Sequence, residues 1–424
     1  MKSITVMLAI LVVAIENSNA QNVGIGTNQP KALLHVADSS VVFAGNNSLP
    51  LSPANPPING PGKRLMWYSD KAAFRTGFVS GPQWDKDSIG QASIAMGYSP
   101  QAKGFGSISL GTLSIANGVG SVALGNGQAE EGYSIAIGYS SKAKKPNSIA
   151  LGNYCYANGD YSLVAGGYSS ANGISSISIG SGVISKAIGS IALGMHNDTS
   201  DMPLPIDLSP TDRLFQVGNG TFSMTSNALT ILRNGNTGIG ALNPQAFLHI
   251  KGNSYPTPSL LLEETENDFA RLQFRNVTQG RFWEIGAKPS TTNSAASFEI
   301  WHAGGLNNIF TIRGDGNATL LGSLTQASDA RLKKNVQQLS PVLQKIDQLK
   351  AYTYQWNNEA MDQQQQIGLL AQEVEKVFPM LVRTDDKGTK SVNYISLIPV
   401  LLSAIQELQQ RVNILENKET DKKQ

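Results

Sequence analysis

The stretch SIAMG at residues 93–97 decides the fold, because the same pattern returns seven more times along the middle of the chain. Every copy begins with serine and ends with glycine. The serines follow one another at steps of 14 residues, apart from one step of 13. A repeat this regular predicts a solenoid. The other copies are SISLG from Ser107, SVALG from Ser121, SIAIG from Ser134, SIALG from Ser148, SLVAG from Ser162, SISIG from Ser176 and SIALG from Ser190.

The alternation within a copy predicts one short β-strand, since Ile94 and Met96 point to one side and the small residues between them to the other. We expect the closing glycine, and later pairs such as Asn117-Gly118, to supply turns with positive φ. Each coil then holds two short strands and two turns. Stacked coils advance about 4.8 Å, so eight of them give a rod of roughly 40 Å in which neighbours cover each other's apolar face.

Outside the repeat, the composition of the whole chain excludes several classes of protein. The 33 Lys and Arg against 31 Asp and Glu leave no global field that would attract nucleic acid or an anionic membrane. The 42 Gly, with only 15% charged residues, are typical of repetitive β-structure rather than of an ordinary α/β enzyme or a disordered chain. The length of 424 residues allows two to four domains.

The first twenty residues have the pattern of a secretory signal peptide. Lys2 supplies a positive start, an apolar run follows from Ile4 to Ile15, and Ser18-Asn19-Ala20 is a small-x-small cleavage site. We therefore predict export with cleavage after Ala20. The alternative, an anchor helix, needs a longer apolar run to cross about 30 Å of hydrocarbon, and no integral membrane segment is expected in the mature chain.

Cysteine and histidine usage predicts no cofactor and no metal site. Cys155 is the only cysteine, and we interpret it as a small buried residue. The four histidines, at positions 35, 196, 249 and 302, lack the spacing of metal ligands.

Two stretches that flank the repeat echo each other: NVGIGTNQPKALLHV at residues 22–36 and NTGIGALNPQAFLHI at residues 236–250. A nucleotide-binding loop is excluded, because the third glycine is missing and a proline follows. We interpret both stretches as a strand and a turn in which glycine lets chains approach at an axis. His35 and His249 are then structural members of the motif.

Two further β segments are predicted outside the repeat. The stretch at residues 66–77 holds Trp67, Tyr68 and Phe74, which are either a cap on the first coil or an aromatic cluster that binds a ligand; a solenoid needs a capped end. From residue 260 to 312, alternating residues predict a small antiparallel β-domain without a catalytic grouping.

The composition changes after Ser323, where glycine becomes rare and helix-period apolar residues increase. Near the end, apolar residues at steps of three and four predict the seam of a short coiled coil, with Ser396 as its cap and Pro399 in its first turn. The seam residues are Ile398, Leu401, Ile405, Leu408, Val412 and Leu415. Four motifs stand in this region: SDARLKKNV at 328–336, YTYQW at 352–356, IGLLAQEVEKVFPMLV at 367–382 and VNYISLIPVLLSAIQEL at 392–408.

The eight repeats resemble the YadA-like head of trimeric autotransporter adhesins over residues 91–195. This resemblance implies a left-handed parallel β-roll that is trimeric and serves surface contact. The turn segments at 229–240 and 310–322 resemble shaft elements of bacteriophage tail fibres and related exported proteins.

The four C-terminal motifs closely resemble the intramolecular chaperone of endosialidases, a self-cleaving Ser-Lys peptidase domain. The resemblance implies that Ser328 is the nucleophile and Lys333 the base, with Asp329 and Arg331 as an orienting ion pair; Lys334 is the adjacent alternative base. A serine hydroxyl is a weak nucleophile until a base takes its proton, and a lysine can do so only when burial lowers its pKa from about 10.4. The alternative is that Ser328 merely caps a helix.

The scissile bond is expected to border Ser328. By resemblance it lies between Ser328 and Asp329, but a serine attacks its own carbonyl poorly, so this cut needs a serine from another subunit or a strained turn. Cleavage between Ala327 and Ser328 through a five-membered ring is the easier local geometry. Both bonds remain candidates.

The chain is therefore predicted to be mainly β: a trimeric parallel β-roll solenoid with flanking shaft segments and a C-terminal α+β chaperone domain that ends in a coiled-coil helix. We expect an exported homotrimeric fibre or adhesin, at the cell surface or extracellular, with a glycan or protein ligand, whose last domain assembles it and then cuts itself off. The alternatives are a carbohydrate-binding or carbohydrate-cleaving tail spike and an adhesin that keeps its trimerisation domain. The predicted domains are a signal peptide at 1–20, an N-terminal segment and cap at 21–90, the head at 91–195, the shaft at 196–326 and the chaperone at 327–424.

Overall fold

The computed structural model describes residues 22–204, 207–278, 280–304, 306–339 and 341–421. The predicted signal peptide at 1–20 lies outside these residues. The chain divides into two compact units, Met1–Ser259 and Leu260–Gln424. This boundary falls inside the stretch that the sequence predicts to be one shaft, and the other predicted domain bounds stay predictions.

The first unit begins with two β-pairs. Strands β1 and β2 run parallel, and β3 and β4 form an antiparallel hairpin that continues as the end of a 14-stranded sheet. The bounds are β1 Val23–Ile25, β2 Leu34–Val36, β3 Gly62–Tyr68 and β4 Ala73–Val79.

Each of the first seven repeats forms one coil with a longer and a shorter strand, as predicted, and the eighth contributes a longer strand. The longer strands join the 14-stranded sheet and the shorter ones form a separate parallel sheet of seven strands. The longer strands are β5 Ile94–Tyr98, β7 Ile108–Thr112, β9 Val122–Leu124, β11 Ile135–Ile137, β13 Ile149–Asn153, β15 Leu163–Gly167, β17 Ile177–Ser181 and β19 Ile191–Met195. The shorter ones are β6 Gln101–Ala102, β8 Ile115–Ala116, β10 Gln128–Ala129, β12 Lys142–Ala143, β14 Tyr156–Ala157, β16 Ser170–Ala171 and β18 Ile184–Ser185.

Small residues fill the interior of the solenoid. Alanines such as Ala123 and Ala143 are fully buried, and so is the first serine of each repeat. In seven of the eight repeats, Ser176 being the exception, that serine donates its hydroxyl to a carbonyl three residues earlier, as Ser107 does to Gly104 O at 2.8 Å and Ser121 to Gly118 O at 2.7 Å. Because the hydroxyl has this partner, a polar side chain can occupy the core without an unpaired group.

The large aliphatic side chains point outward, which corrects the expectation that stacked coils cover the apolar face. Ile94 and Met96 remain more than a third exposed. The coil is too narrow to hold them, so stacking covers their edges and leaves their outer faces open. A single chain therefore carries an uncovered apolar face along its longer sheet.

Two kinds of glycine shape the coils, and one of them differs from the expectation. The fifth-place glycines have positive φ, and a Cβ on Gly152 would lie 2.0 Å from Gly166 O of the next coil. Gly118 of the Asn-Gly pair does not adopt positive φ. Glycine is needed at this position because an added Cβ would lie 1.9 Å from Glu131 O. The turns instead place non-glycine residues such as Leu113 and Tyr154 in the left-handed region.

A cap closes the first coil. Tyr68 is buried in one apolar cluster with Trp84 and Ile89, as the capping interpretation predicts. Arg75 is fully buried, and its guanidinium donates to the Ser93 and Ala102 carbonyls at 2.9 and 3.1 Å. Burial lowers its pKa to about 10. Both carbonyls also accept a backbone N–H, from Phe74 and Gly90, so the guanidinium adds a second hydrogen bond to each and ties the cap to the first coil.

The other end of the solenoid has a hairpin and an ion-pair cluster. Strand β20 Arg213–Asn219 pairs with β19 in parallel and with β21 Asn227–Leu232 in antiparallel orientation. Arg213 is almost completely buried and bonds Asp198 at 2.6 Å. Burial alone raises the pKa of Asp198, but hydrogen bonds from Ser200 and Arg213 outweigh it and lower that pKa.

Strands β22 Thr237–Ile239 and β23 Leu248–Ile250 then repeat the parallel pairing of β1 and β2. His35 Nδ1 accepts from Lys31 N at 3.2 Å and His249 Nδ1 from Gln245 N at 3.4 Å, so both histidines hold the same turn. A Cβ on Gly24 would meet Thr27 O at 2.3 Å, so the close approach lies within one chain rather than at an axis.

The second unit opens with a five-stranded antiparallel sheet, which confirms the predicted antiparallel β-domain. Its strands are β24 Ala270–Arg275, β25 Phe282–Lys288, β26 Ser297–His302, β27 Leu306–Arg313 and β28 Ala318–Leu320. The register places apolar residues on one face and polar residues with two aromatic rings on the other. The apolar face carries Leu272, Phe274, Trp283, Ile285, Phe298, Ile300, Phe310 and Ile312.

The C-terminal domain is α+β with its own apolar core. Two short antiparallel pairs, β29 with β30 and β31 with β32, accompany three helices. Val342, Val374, Phe378, Leu381, Val400 and Ala404 form the core. The bounds are α1 Leu343–Ile346, β29 Tyr352–Tyr354, β30 Gln366–Gly368, α2 Ala371–Val377, β31 Val382–Thr384, β32 Lys390–Val392 and α3 Tyr394–Asp421.

The long helix α3 begins earlier than predicted. Asn393 Oδ1, not Ser396, accepts the hydrogen bond that caps it, from Ser396 N at 3.1 Å. Pro399 consequently lies beyond the first turn. In the part of the chain that the structure describes, no helix combines the length and the apolarity needed to cross a membrane.

Candidate functional site

A short exposed segment positions the predicted dyad. Residues Ala330–Leu332 form a single 3-10 turn, and the chain leaves it in extended conformation at Lys333. The turn folds the segment back, so that a side chain at its end can reach the residue before its start. Every residue from 321 to 339 is exposed.

The structure brings Ser328 and Lys333 together. Lys333 Nζ donates a hydrogen bond to Ser328 Oγ at 2.7 Å, within the range of a nucleophile and its general base. Of the two adjacent lysines, it is Lys333 that makes this contact, as the resemblance implies. A base on the hydroxyl proton is the geometry that activates a serine.

Asp329 and Arg331 form the expected ion pair beside the dyad. Their side chains meet at 2.6 Å, and Asp329 Oδ1 also accepts from Arg331 N at 2.9 Å. The hydrogen bond from Arg331 lowers the pKa of Asp329, so this carboxylate is charged at neutral pH. Asp329 is thus the cap of the 3-10 turn, a role that the alternative interpretation gave to Ser328.

The dyad lacks the enclosure that Ser-Lys chemistry needs. A lysine is neutral in a site from which water is excluded, whereas both side chains are open to solvent in the single chain. Burial is what would make the lysine a base, and the exposed segment does not supply that burial within the single chain.

The predicted coiled-coil seam lies on α3 and has no cover in the single chain. One side of the helix packs into the domain core through Val400 and Ala404, and Glu407 accepts from Leu343 N at 3.2 Å at the start of α1. The six seam residues lie on another side and are each between 39% and 64% exposed. This helix therefore presents two apolar sides, of which the domain uses one.

The outward face of the long sheet forms a second uncovered apolar surface. Two rows of facing residues run through strands β3 to β23, beyond the repeats at both ends. One row is Trp67, Phe74, Ile94, Ile108, Val122, Ile135, Ile149, Leu163, Ile177, Ile191, Phe215, Ile231, Thr237 and Leu248. Trp67 and Phe74 belong to this surface, while Tyr68 belongs to the cap, so the predicted aromatic trio is divided between two roles.

One grouping of carboxylates was not predicted from the sequence. Glu284 and Glu299 line the same cavity on the five-stranded sheet, together with Trp301. Fifteen residues separate them, and only the antiparallel register brings them to one face. No group of His, Cys, Asp and Glu that could hold a metal occurs among the described residues.

Comparison with known proteins supports both resemblances. The family described as YadA head domain repeat matches twice, at residues 102–127 and 129–154. The family described as chaperone of endosialidase matches residues 328–383. No curated protein matches the chain. The chain is thus similar to a trimeric adhesin head in its middle and to an endosialidase chaperone near its C-terminus, a combination that supports a trimeric adhesin or fibre, at the surface or extracellular, with a chaperone domain.

Proposed function

We propose that this chain is exported by its N-terminal signal peptide, forms a homotrimeric fibre or adhesin, and loses its C-terminal domain by Ser-Lys autoproteolysis beside Ser328. The observation that carries the proposal is the 2.7 Å contact between Lys333 Nζ and Ser328 Oγ, at the start of the chaperone match. The spacing of five residues and the turn between them place the lysine amine beside the serine hydroxyl before any partner is present.

Trimer formation is favoured by the two uncovered apolar surfaces. Burying the exposed half of a Leu or Ile side chain contributes about 1 kcal/mol, so six seam residues contribute several kcal/mol per chain. The outward face of the long sheet supplies a further area of the same kind. Three chains in register cover both.

An assembly domain is needed because of how the head folds. Its strands pair in parallel with neighbours about 14 residues away, and its large apolar residues gain cover only from other chains. Parallel pairing and association both require entropy to be lost before contacts form. A C-terminal domain that holds three chains together raises their local concentration and reduces that loss.

The chemistry proceeds in two steps. Neutral lysine takes the Ser328 hydroxyl proton as the oxygen attacks a peptide carbonyl; the bond to the amide nitrogen then breaks, the nitrogen takes a proton, and an ester remains that water hydrolyses. Attack on the preceding carbonyl cuts between Ala327 and Ser328. Attack by the serine of another chain cuts between Ser328 and Asp329.

Assembly sets the timing of this reaction. In a single chain the dyad faces water and lacks the enclosure that the reaction needs. Packing of the neighbouring chains over the segment removes that water and neutralises the lysine. Cleavage then follows trimer formation and leaves a fibre that has lost the domain that assembled it, which makes its stability kinetic.

Denaturing gels of the purified mature protein test the proposal. We expect the wild-type chain to release a fragment of about 10 kDa, in proportion to the 45.2 kDa of the whole chain. Ser328→Ala and Lys333→Arg should abolish it, since arginine keeps its proton and cannot act as the base. Lys334→Arg is the matched control and should cleave normally.

The same gels decide between the candidate functions. A wild-type trimer that stays full length after prolonged incubation contradicts self-cleavage and favours the adhesin that keeps its trimerisation domain. Mass spectrometry of the released fragment identifies which side of Ser328 is cut. Mixing Ser328→Ala chains with chains that carry an affinity tag and a wild-type serine tests cleavage between chains.

A further inference from the structure

We propose that the polar face of the five-stranded sheet contains a binding site for a neutral saccharide. A cavity of about 360 Å³ opens on this face and is lined by Phe282, Trp301, Arg271, Glu284, Glu299 and Asn308, with Phe269 and Gly286. Cavities that bind small ligands start at about 300 Å³ and combine aromatic walls with a few placed polar groups. The volume suits one or two sugar rings.

Aromatic rings form one wall of this cavity. The ring centroids of Phe282 and Trp301 lie 5.2 Å apart with planes tilted by 48°. Phe269 lies over Gly286, where an added Cβ would be 3.2 Å from its ring, so a glycine there gives the ring its space. Trp301 is only partly buried. A sugar ring presents a face of C–H groups that packs on such rings.

Carboxylates and an amide supply the hydrogen-bonding side. Glu284 is held by Arg271 Nε at 3.0 Å and Gln273 Nε2 at 3.3 Å, and Glu299 by Ser297 Oγ at 3.0 Å. Each carboxylate has about four acceptor positions, so these contacts fix its orientation and leave positions for hydroxyl donors. The Asn308 amide adds both a donor and an acceptor.

The charges favour a neutral ligand. Arg271 already meets two carboxylates, Asp268 at 2.6 Å and Glu284 at 3.0 Å, so it is occupied as a partner for an acidic sugar. Glu284 is neutralised in the same way, which weakens attraction for a cation. Hydroxyl groups, by contrast, can donate to Glu284 without disturbing its ion pair, and to Glu299, whose partner is the Ser297 hydroxyl.

The cavity lies on the polar face of the sheet, and the opposite face is apolar. The opposite face carries Trp283 and the other apolar residues, and a trimer would cover it with neighbouring chains. The inference rests on the proposed trimeric fibre for one point only: in the trimer the cavity faces outward. Such a position gives each chain of the trimer one site and makes binding multivalent.

Calorimetric titration of the full chain with neutral tetrasaccharides of glucose, galactose, mannose and N-acetylglucosamine tests the inference. We expect at least one to bind, with Trp301→Ala weakening it tenfold or more. Glu299→Gln, which keeps the size of the side chain, should weaken it severalfold. Trp283→Ala is the matched control, because it removes the same ring from the opposite face of the same sheet and should leave affinity unchanged.

Sedimentation of each variant separates this inference from the proposed function. If the protein forms trimers but binds none of the four tetrasaccharides, the saccharide site is overturned and the fibre is not. The same conclusion follows if the Trp301→Ala variant binds as tightly as the wild-type trimer. Monomers that bind and lose affinity on Trp301→Ala support the site and contradict the trimer. Loss of affinity in Trp283→Ala as well as in Trp301→Ala also overturns the assignment to the polar face.

Discussion

The head and the C-terminal domain place their large apolar residues in opposite positions. The head fills its interior with alanine and serine and turns residues such as Ile94 outward. The C-terminal domain buries Phe378, Leu381 and Val400 inside one core. The C-terminal domain thus has an apolar core within one chain, whereas each coil of the head leaves its large apolar residues on the outside and only partly covered.

This difference explains why the two regions belong on one chain. In the proposed trimer the head gains further stability when three chains meet in register, which is slow. The C-terminal domain has its core in place beforehand and presents a second apolar side on α3. The region with its own core can therefore hold together the chains of the region that depends on partners.

The largest expected effect comes from breaking the ladder of coils at Gly152. Its φ is +126° and a Cβ would lie 2.0 Å from Gly166 O, so Gly152→Val separates β13 from β15. We expect a loss above about 4 kcal/mol, enough to leave the head protease-sensitive while the C-terminal domain stays resistant.

Gly189→Asn is the matched control for that variant. Gly189 also has positive φ, but an added Cβ meets nothing within 4 Å, and asparagine tolerates this conformation. Limited proteolysis should find this head intact. If Gly152→Val and Gly189→Asn were digested equally, clashes between coils would not be what limits the stability of the head.

The next effect separates assembly from folding. Ile405→Asp places a charge in the seam of α3, where wild-type Ile405 is 64% exposed and therefore dispensable for the fold of one chain. An unpaired charge buried between helices costs several kcal/mol, so we expect monomers in sedimentation and no released fragment. Gln410→Asp, at an exposed position outside the seam, should form trimers and cleave.

If Ile405→Asp still gave trimers, the head alone would be sufficient for assembly and the comparison between the regions would need revision. Circular dichroism of the helical signal should be the same for both aspartate variants. A drop confined to Ile405→Asp would indicate damage to the domain rather than to the seam.

The smallest effect is a pH dependence confined to the head. The lowered pKa of Asp198 means that its stabilisation is present above the ordinary carboxyl pKa and is lost as pH falls through the folded value. We expect the melting temperature of the head transition in Asp198→Asn to lie below that of wild type at pH 7. This difference in melting temperature between wild type and Asp198→Asn should disappear as the pH is lowered.

Asp201 acts in the other direction, because burial raises its pKa, but it is present in both proteins and its effect is shared. The transition of the C-terminal domain serves as the internal control and should not differ between them. A gap that persists unchanged at low pH would mean that Asp198 acts through packing instead of charge.

The candidate site was predicted in part. The roles of Ser328, Lys333, Asp329 and Arg331 were implied by the resemblance to the endosialidase chaperone, because residue types and spacing alone also fit a helix cap. The folded turn brings each pair into contact. Their exposure did not follow, because burial depends on residues far away in the chain or in another chain. The cavity beside Trp301 was missed for a related reason, since its two carboxylates come from different strands.

By itself the sequence determined the period of the solenoid, the number of its coils and the strand within each, because these depend on local alternation and on glycine at fixed spacing. Only the tertiary structure decided which side of the strands is the inside. Hydrophobicity predicts that Ile and Leu are buried, yet backbone spacing across a 14-residue coil leaves room mainly for Ala and Ser, with a few larger residues such as Val164 and Cys155. The large residues are therefore on the outside, where other chains can reach them.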